Sequence, residues 1–195
     1  MKKLIAFTLI LFSSISSINA EEIKRIFVGN KDAKITIIAY ESLTCSHCAN
    51  FHKDVYPQLK EEYLDTGLAK IEFRHFPLDV AAFNASKIAH CRNDGKSEIL
   101  EYLYKNQKKW FGGANRVEEI NENLVKFSKE NMVFFNIKVD DCLEDKMIED
   151  FVLNDRIDGV RKYKVNSTPT IIINDKKFEK TLNYKNLKKA LEKLI

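Results

Sequence analysis

The sequence predicts an α/β domain in which a helical insertion separates a βαβ half from a C-terminal ββα half. Segments 35–40, 68–76 and 168–178 show the β-branched runs or the alternating pattern that is typical of strands. Between about residues 80 and 163 the apolar residues recur at helical spacing instead. A chain of 195 residues, 45% hydrophobic and 31% charged, is long enough to bury a core for this one domain.

Residues 1–20 have the pattern of a secretory signal peptide. Lys2 and Lys3 precede an apolar run, and Ala20 supplies the small residue of a cleavage site. An uncleaved membrane anchor is the alternative, although the apolar run is short for a membrane span. Loss of the two lysines lowers the formal charge from +4 to +2, which is too small a surplus to predict binding to nucleic acid. We expect segment 21–195 to be exported to the periplasm, where disulfides persist.

The first half of the exported segment predicts two strands joined by a kinked helix. Residues 26–28 indicate a short edge strand, whereas 35–40 is apolar almost throughout, as expected of a central strand buried on both faces. Residues 51–64 have an amphipathic helical pattern that should kink at Pro57. Residues 68–76 alternate as a strand, most simply parallel to the central one.

The rest of the chain predicts helices and a final hairpin. The insertion is divided by turn sequences at 93–95 and 112–113, and segment 132–135 is compatible with a helix end or a loop. Its core-facing stripes are Ile99, Leu100, Leu103 and Tyr104; Val117, Ile120, Leu124 and Phe127; and Met147, Ile148, Phe151 and Val152. Residues 168–178 then predict a hairpin with an Asn-Asp turn, and 184–194 an amphipathic helix.

The motif Cys45-Ser46-His47-Cys48 lies where the predicted central strand gives way to a helix. The first cysteine would face a helix N-terminus, whose unpaired N–H groups and positive dipole end stabilise a thiolate. Such a site lowers a cysteine pKa from about 8.5 to roughly 3.5–7.5, which makes Cys45 a nucleophile near neutral pH. A structural disulfide is the alternative, but closing so short a loop would add only about 1.9 kcal/mol of stability.

These features resemble the DsbA-like thiol-disulfide oxidoreductases, exported bacterial members of the thioredoxin superfamily. The resemblance covers segment 21–195 and rests on the paired cysteines, the helical insertion and Thr168-Pro169 at the start of a late strand. It implies a thioredoxin fold in which Cys45 is the exposed attacking cysteine and Cys48 the buried resolving one. It also implies a cis peptide bond before Pro169 and a Thr168 backbone that pairs with the substrate main chain.

The resemblance further implies a catalyst that uses its own dithiol and no cofactor. Such a dithiol oxidase would form disulfides in unfolded or partly folded exported proteins, and a membrane quinone-linked partner would reoxidise it. We expect a monomer, because the segment before the predicted central strand is too short for a separate dimerisation domain. His47 would stabilise the Cys45 thiolate as a cation or hydrogen-bond donor, which favours the reduced enzyme and therefore disulfide donation.

Three features depart from the pattern of the best-known members. Ser46 replaces a proline within the motif, and Ala39 occupies the place of a buried acid that relays protons to the second cysteine. Glu41, on the same strand face as Ala39 by alternation, is a candidate replacement for that acid. Thr168 before the proline also occurs in isomerase and reductase branches, so both of those reaction directions stay open.

Two other classes of protein are alternatives to a thiol oxidoreductase. Cys45, Cys48 and a nearby histidine are suited to zinc, but no second closely spaced pair of ligands accompanies them. A non-enzymatic chaperone would instead use the apolar surface around the motif. We interpret His52, His75 and His90 as surface or core residues rather than as catalytic ones.

Cys91 and Cys142 both lie in the predicted insertion, and we expect them to form a structural disulfide. They enclose a long loop, for which the chain-entropy model gives a bond worth about 4 kcal/mol. Two free thiols and a second redox pair are the alternatives.

Overall fold

The structure is a computed structural model that describes residues 22–195, so the predicted signal segment lies outside the described residues. One mixed sheet has the strand order β1-β3-β2-β4-β5. The strands are β1 (Ile26–Gly29), β2 (Ile35–Glu41), β3 (Ala69–His75), β4 (Thr170–Ile173) and β5 (Lys176–Lys177). β2 is parallel to β3 and antiparallel to β4, which agrees with the predicted βαβ and ββα halves.

Helices cover both faces of the sheet and form the insertion. They are α1 (Ser46–Asp54), α2 (Tyr56–Leu59), α3 (Val80–His90), α4 (Glu98–Lys105), α5 (Gln107–Phe111), α6 (Val117–Glu130), α7 (Met132–Phe135), α8 (Val139–Glu144), α9 (Lys146–Tyr163) and α10 (Tyr184–Leu191). A π-helical turn, Lys60–Leu64, follows α2. The insertion consists of α3 to α9 and lies between β3 and β4 in the chain, which confirms the predicted fold class.

β2 is the central strand because its side chains are apolar on both faces. Apart from Thr36, each of its residues is buried. On one face, Ile35, Ile37 and Ala39 belong to the core that α1, α2 and the insertion share. On the other face, Tyr40 packs with Tyr163 of α9. The sheet is thus enclosed between two layers of helix, as a strand of continuous hydrophobicity requires.

The helix predicted at 51–64 is divided at Val55 and not kinked at Pro57. α1 begins at Ser46 with Cys45 as its cap, which confirms the helix start predicted at the motif. Val55 leaves regular helical geometry with φ −116° and ψ −49°, and α2 begins at the next residue. Pro57 therefore lies in the first turn of a new helix, where its missing N–H leaves no hydrogen bond unmade.

One apolar residue of the insertion was assigned to the core wrongly. Met147 is 42% exposed, because α9 turns Ile148 inward and leaves Met147 at the protein surface.

Trp110 is fully buried, and its indole N–H donates to the Leu103 carbonyl at 3.1 Å. The segment that was compatible with a loop or a helix end forms the short helix α7.

α9 approaches β2 closely at Gly159. A Cβ atom at this position would stand 2.7 Å from Cε1 of the buried Tyr40 ring, well inside van der Waals contact. A glycine is therefore required where the helix crosses the ring.

Cys91 and Cys142 are joined by a disulfide that links the end of α3 to α8, with Cα atoms 5.2 Å apart. Cys45 and Cys48 are free thiols. In the part of the chain from residue 22 onward, no helix combines the length and the apolar character needed to cross a membrane.

Candidate active site

Cys45 caps the N-terminus of α1. β2 ends at Glu41, and a turn then brings Cys45 to the first turn of the helix, where its Sγ accepts a hydrogen bond from the Cys48 N–H at 3.4 Å. This places the sulfur at the positive end of the helix dipole.

The segment before β4 lies against the same sulfur. The Thr168–Pro169 peptide bond is cis, and the Cys45 thiol donates to the Thr168 carbonyl at 3.4 Å. The Thr168 hydroxyl is buried and has no hydrogen-bond partner among residues 22–195. Cys45 is therefore held between two parts of the chain that are 123 residues apart in sequence.

These contacts lower the pKa of Cys45 to about 5. The largest cause is a hydrogen bond from the Cys48 thiol; Thr168 and the backbone N–H groups of Cys48 and His47 add to it, while partial burial opposes the shift. Because Cys45 is only half-buried, an incoming sulfur can reach it. Near neutral pH, Cys45 is therefore a reactive thiolate.

Cys48 has the opposite environment. Its side chain is fully buried, and this desolvation raises its pKa far above the ordinary value. The hydrogen bond to Cys45 and the negative charge of Glu41 raise the pKa further. The pair thus consists of an accessible nucleophile and a buried thiol.

Ser46 and His47 are exposed in the first turn of α1. The contribution of His47 to the lowered Cys45 pKa comes from its backbone N–H. The role predicted for its imidazole ring, as a cation beside the thiolate, stays a prediction.

A buried pair of ionisable side chains, Glu41 and His52, lies close to Cys48. Glu41 Oε2 and His52 Nε2 are 2.9 Å apart, and the two side chains are 3% and 6% exposed. The His52 ring stacks on Tyr104, with ring centroids 4.1 Å apart. The sequence interpretation of His52 as an ordinary surface or core residue missed this pair. Its spacing from Cys48 was the available signal, since residues four apart share one face of a helix.

His75 and His90 are core residues. Their rings meet edge to face with centroids 4.8 Å apart. Burial lowers the pKa of both, that of His90 to about 4, so both rings are neutral near physiological pH.

The helical insertion supports the active-site loop through two side chains that sequence reasoning did not single out. The buried Gln107 amide donates to the carbonyls of Leu43 at 2.7 Å and Cys45 at 3.2 Å. Asp79, which caps α3, accepts a hydrogen bond from the Thr44 hydroxyl at 2.7 Å. No local pattern marks these residues, because each contact joins positions 35 to 64 residues apart.

A pocket of about 630 Å³ opens beside the motif, between α1–α2 on one side and α4–α5 on the other. Ser46 and His52 line the first side, and Tyr104 and Gln107 line the second. Lysines also line it: Lys53, Lys60, Lys105 and Lys108. Across the described residues, no group of three or more His, Cys, Asp or Glu side chains is arranged to hold a metal ion.

Known proteins share both the sequence pattern and the architecture. A thioredoxin family model matches residues 21–193. A Rickettsia bellii protein named "Putative protein-disulfide oxidoreductase" is 37% identical over 95 residues, which is 48% of this chain and 36% of that protein. A Bacillus anthracis protein named "Probable disulfide bond formation protein D" is 28% identical over 175 residues, or 85% of this chain and 76% of that protein. The match therefore spans only about a third of the Rickettsia relative's length.

A crystal structure of Wolbachia pipientis alpha-DsbA1 has a similar fold. Its TM-score to this chain is 0.75 at 27% sequence identity, over 87% of this chain and 90% of that chain. This likeness confirms the predicted thioredoxin fold with a helical insertion and the resemblance to DsbA-like proteins.

Proposed function

This chain belongs to the thioredoxin family as a DsbA-like member, and on that premise we propose that it is an exported protein-disulfide oxidoreductase. The observation that carries the proposal is the asymmetry of its two cysteines: the pKa of Cys45 is lowered to about 5, whereas the pKa of buried Cys48 is raised. A stabilised Cys45 thiolate favours the reduced enzyme, so the Cys45–Cys48 disulfide readily accepts electrons. We therefore assign the dithiol oxidase direction rather than isomerase or reductase activity.

The reaction forms disulfides in unfolded or partly folded protein substrates. A substrate thiolate attacks Sγ of Cys45 in the oxidised enzyme, the bond to Cys48 breaks, and Cys48 leaves with the electron pair and takes up a proton. A mixed disulfide now joins the substrate to Cys45. A second substrate thiolate attacks the substrate sulfur of that bond, and Cys45 leaves as a thiolate. The substrate loses two electrons, and the enzyme ends as one thiolate and one thiol.

Residues around the sulfurs would orient the substrate. The Thr168 backbone lies beside Cys45, where an extended substrate segment can pair with it as an added strand, and Pro169 holds that segment in place. Ser46 and His47 are exposed next to Cys45, so they would contact the same substrate segment.

The turnover needs an external oxidant, because the chain's own dithiol is consumed in each cycle. We propose a membrane quinone-linked partner that takes the two electrons through Cys45, with the enzyme acting as a periplasmic monomer. The disulfide between Cys91 and Cys142 supports an oxidising compartment, where such bonds persist.

The direction of electron flow is tested by the redox equilibrium of segment 21–195 with glutathione, followed by alkylation of Cys45. A variant with Cys91→Ser and Cys142→Ser confines the signal to the active-site pair. A potential near about −120 mV would support a disulfide donor, whereas a value near about −270 mV would mark a reductant and overturn the oxidase assignment.

A further inference from the structure

The pocket of about 630 Å³ begins beside the reactive Cys45. Ser46, which comes directly after Cys45 in the chain, is one of the residues that line it. Gln107 lines it as well, and its amide donates to the Cys45 carbonyl at 3.2 Å. The pocket therefore opens next to the place where a substrate cysteine must meet Cys45.

One side of α1 and α2 forms a wall of the pocket and gives it length. Four lining residues of α1 are spaced three or four positions apart and therefore lie along one side of the helix: Ser46, Ala49, Asn50 and Lys53. Lys53 follows Ser46 by a rise of about 10 Å, which an extended peptide covers with about three residues. Lys60 lies about twice as far along the chain, at a distance of about six extended residues.

The rim of the pocket carries a surplus of positive charge. Four lysines line it: Lys53, Lys60, Lys105 and Lys108. Lys60 forms an ion pair with Asp65 at 2.5 Å. The other three are exposed, and in the part of the chain from residue 22 onward they have no ion-pair or hydrogen-bond partner. Cations that face one cavity raise the local concentration of anionic groups.

Glu101 is the only acidic side chain among the described residues that line the pocket. Its Oε1 accepts hydrogen bonds from the Tyr56 hydroxyl at 2.9 Å and from the Ser97 hydroxyl at 2.6 Å. Neutral groups thus hold this carboxylate away from an ion pair with the lysines. Its charge offsets one lysine at most, so the pocket remains cationic.

Apolar and aromatic side chains lie between the lysines. They are Ala49, Tyr56, Pro57 and Tyr104. A peptide segment can place its aliphatic parts against these side chains while its carboxylates meet the ammonium groups at the rim. This combination suits an acidic segment of a polypeptide better than a ligand that is charged throughout.

We propose that the pocket binds an acidic segment of the protein substrate, next to the cysteine whose thiolate attacks Cys45. This inference rests on the proposed function, because it names a class of substrate for the same dithiol. An added strand at Thr168 pairs through its backbone, which does not distinguish one side chain from another. The lysines supply that distinction, so the preferred substrates carry Asp or Glu about three to six residues from the reacting cysteine.

Peptides that differ only in charge test this preference. Each peptide has two cysteines and carries three Glu, three Gln or three Lys residues about three to six positions from the first cysteine. The reduced peptide is mixed with the oxidised protein, and acid quenching with mass spectrometry measures the loss of the Cys45–Cys48 disulfide. Because a neighbouring carboxylate also raises the pKa of a thiol, each rate is divided by that of the same peptide with neutral hydroxyethyl disulfide.

We expect the Glu peptide to react about tenfold faster than the Gln peptide at low ionic strength, and the Lys peptide to react most slowly. Three exposed charge pairs, each worth a factor of about two to three, give this ratio. At about 1 M salt the ratio should fall to within about twofold, because ions screen exposed charges. A fourth peptide, with its three Glu more than about ten residues from either cysteine, should react like the Gln peptide.

Two variants that lose the same number of positive charges locate the effect. The pocket variant combines three substitutions: Lys53→Gln, Lys105→Gln and Lys108→Gln. The control variant changes three exposed lysines that do not line the pocket: Lys126→Gln, Lys176→Gln and Lys180→Gln. We expect the ratio of Glu to Gln rates to fall close to one in the pocket variant and to stay near tenfold in the control variant.

The outcomes separate the pocket from the proposed function. Equal rates for the Glu and Gln peptides, a preference that survives in the pocket variant, or an equal loss in the control variant would overturn the acidic-segment site. A distant-Glu peptide that reacts as fast as the near one would reduce the effect to attraction by the whole protein and overturn it too. A protein that oxidises none of the peptides would overturn the oxidoreductase function itself.

Discussion

The contact between Gln107 and the active-site loop predicts that the helical insertion supports the reactivity of Cys45. The Gln107 amide is buried and donates to the Leu43 carbonyl at 2.7 Å and the Cys45 carbonyl at 3.2 Å. In a Gln107→Ala variant, the Cys45 carbonyl keeps its bond from the Ala49 N–H at 3.1 Å. The Leu43 carbonyl loses the amide, and the loop that presents the sulfur loses its link to α5.

The expected loss of stability follows from these contacts. Leaving a buried carbonyl unsatisfied costs about 1–3 kcal/mol, and each lost methylene about 0.8 kcal/mol, so Gln107→Ala should lower the free energy of unfolding by about 3 kcal/mol. Gln107→Met keeps the methylenes and removes only the donor, so its loss should be about 1–3 kcal/mol. Denaturant unfolding of both variants measures the difference.

The same two variants report on the thiolate. A loosened loop holds Cys45 less firmly against its donors, so the Cys45 pKa should rise from about 5 towards its ordinary value in a titration of thiolate absorbance. If Gln107→Met unfolds within about 0.5 kcal/mol of wild type and titrates at the same pH, the insertion does not support the loop in this way.

Four further predictions concern the thiolate and the packing around it. Thr168→Val removes a hydroxyl that helps to lower the pKa of Cys45 to about 5, so the midpoint of a thiolate titration should rise; an unchanged midpoint would rule that hydroxyl out. The folded pKa of Cys45 lies below its ordinary value of 9.0, so the stability of the reduced protein relative to Cys45→Ser should be greatest above about pH 9. This difference in the free energy of unfolding should shrink as the pH falls and vanish below about pH 5. A difference that stays constant across the pH range would contradict the prediction. Gly159→Ala should destabilise the protein by about 1–3 kcal/mol from overpacking, which outweighs a gain of up to about 1 kcal/mol in helix propensity, and a higher melting temperature would show that the helix can move away. Replacing Cys91 and Cys142 together with serine should lower the free energy of unfolding by about 2–4 kcal/mol and leave the Cys45 titration unchanged, whereas a shifted titration would make that disulfide part of the redox centre.

The sequence was sufficient for elements whose pattern reflects uniform burial. β2 was predicted as a central strand because nearly all of its residues are apolar, and the structure buries it on both faces. The turn at Asn174 and Asp175 was predicted from composition, and both residues have positive φ, which Asn and Asp tolerate better than other side chains. In these segments the local preference and the tertiary environment favour the same structure.

Other features depend on contacts that no local pattern contains. The break at Val55 was missed because the apolar spacing of α1 continues into α2. The kink was predicted at Pro57 instead, since proline usually interrupts a helix. Met147 was wrongly predicted to face the core, because the apolar stripe of α9 includes both Met147 and its neighbour Ile148, and only Ile148 is buried. The pairing of Glu41 with His52 joins a strand to a helix, so it becomes visible only when both are packed.

The position of that pair explains why a histidine accompanies the buried carboxyl of Glu41. A carboxylate that is 3% exposed destabilises the fold unless a neighbouring group forms a hydrogen bond or ion pair with it. Removing one member of such a buried pair costs more stability than replacing both members with apolar residues. His52 can satisfy Glu41 because α1 starts at the cap formed by Cys45, which fixes the rotation of the helix and brings its seventh residue to the strand end. The rotation of α1 that exposes Cys45 to substrate therefore also places His52 against Glu41. A change in how α1 begins would disturb both sulfurs and the pair together.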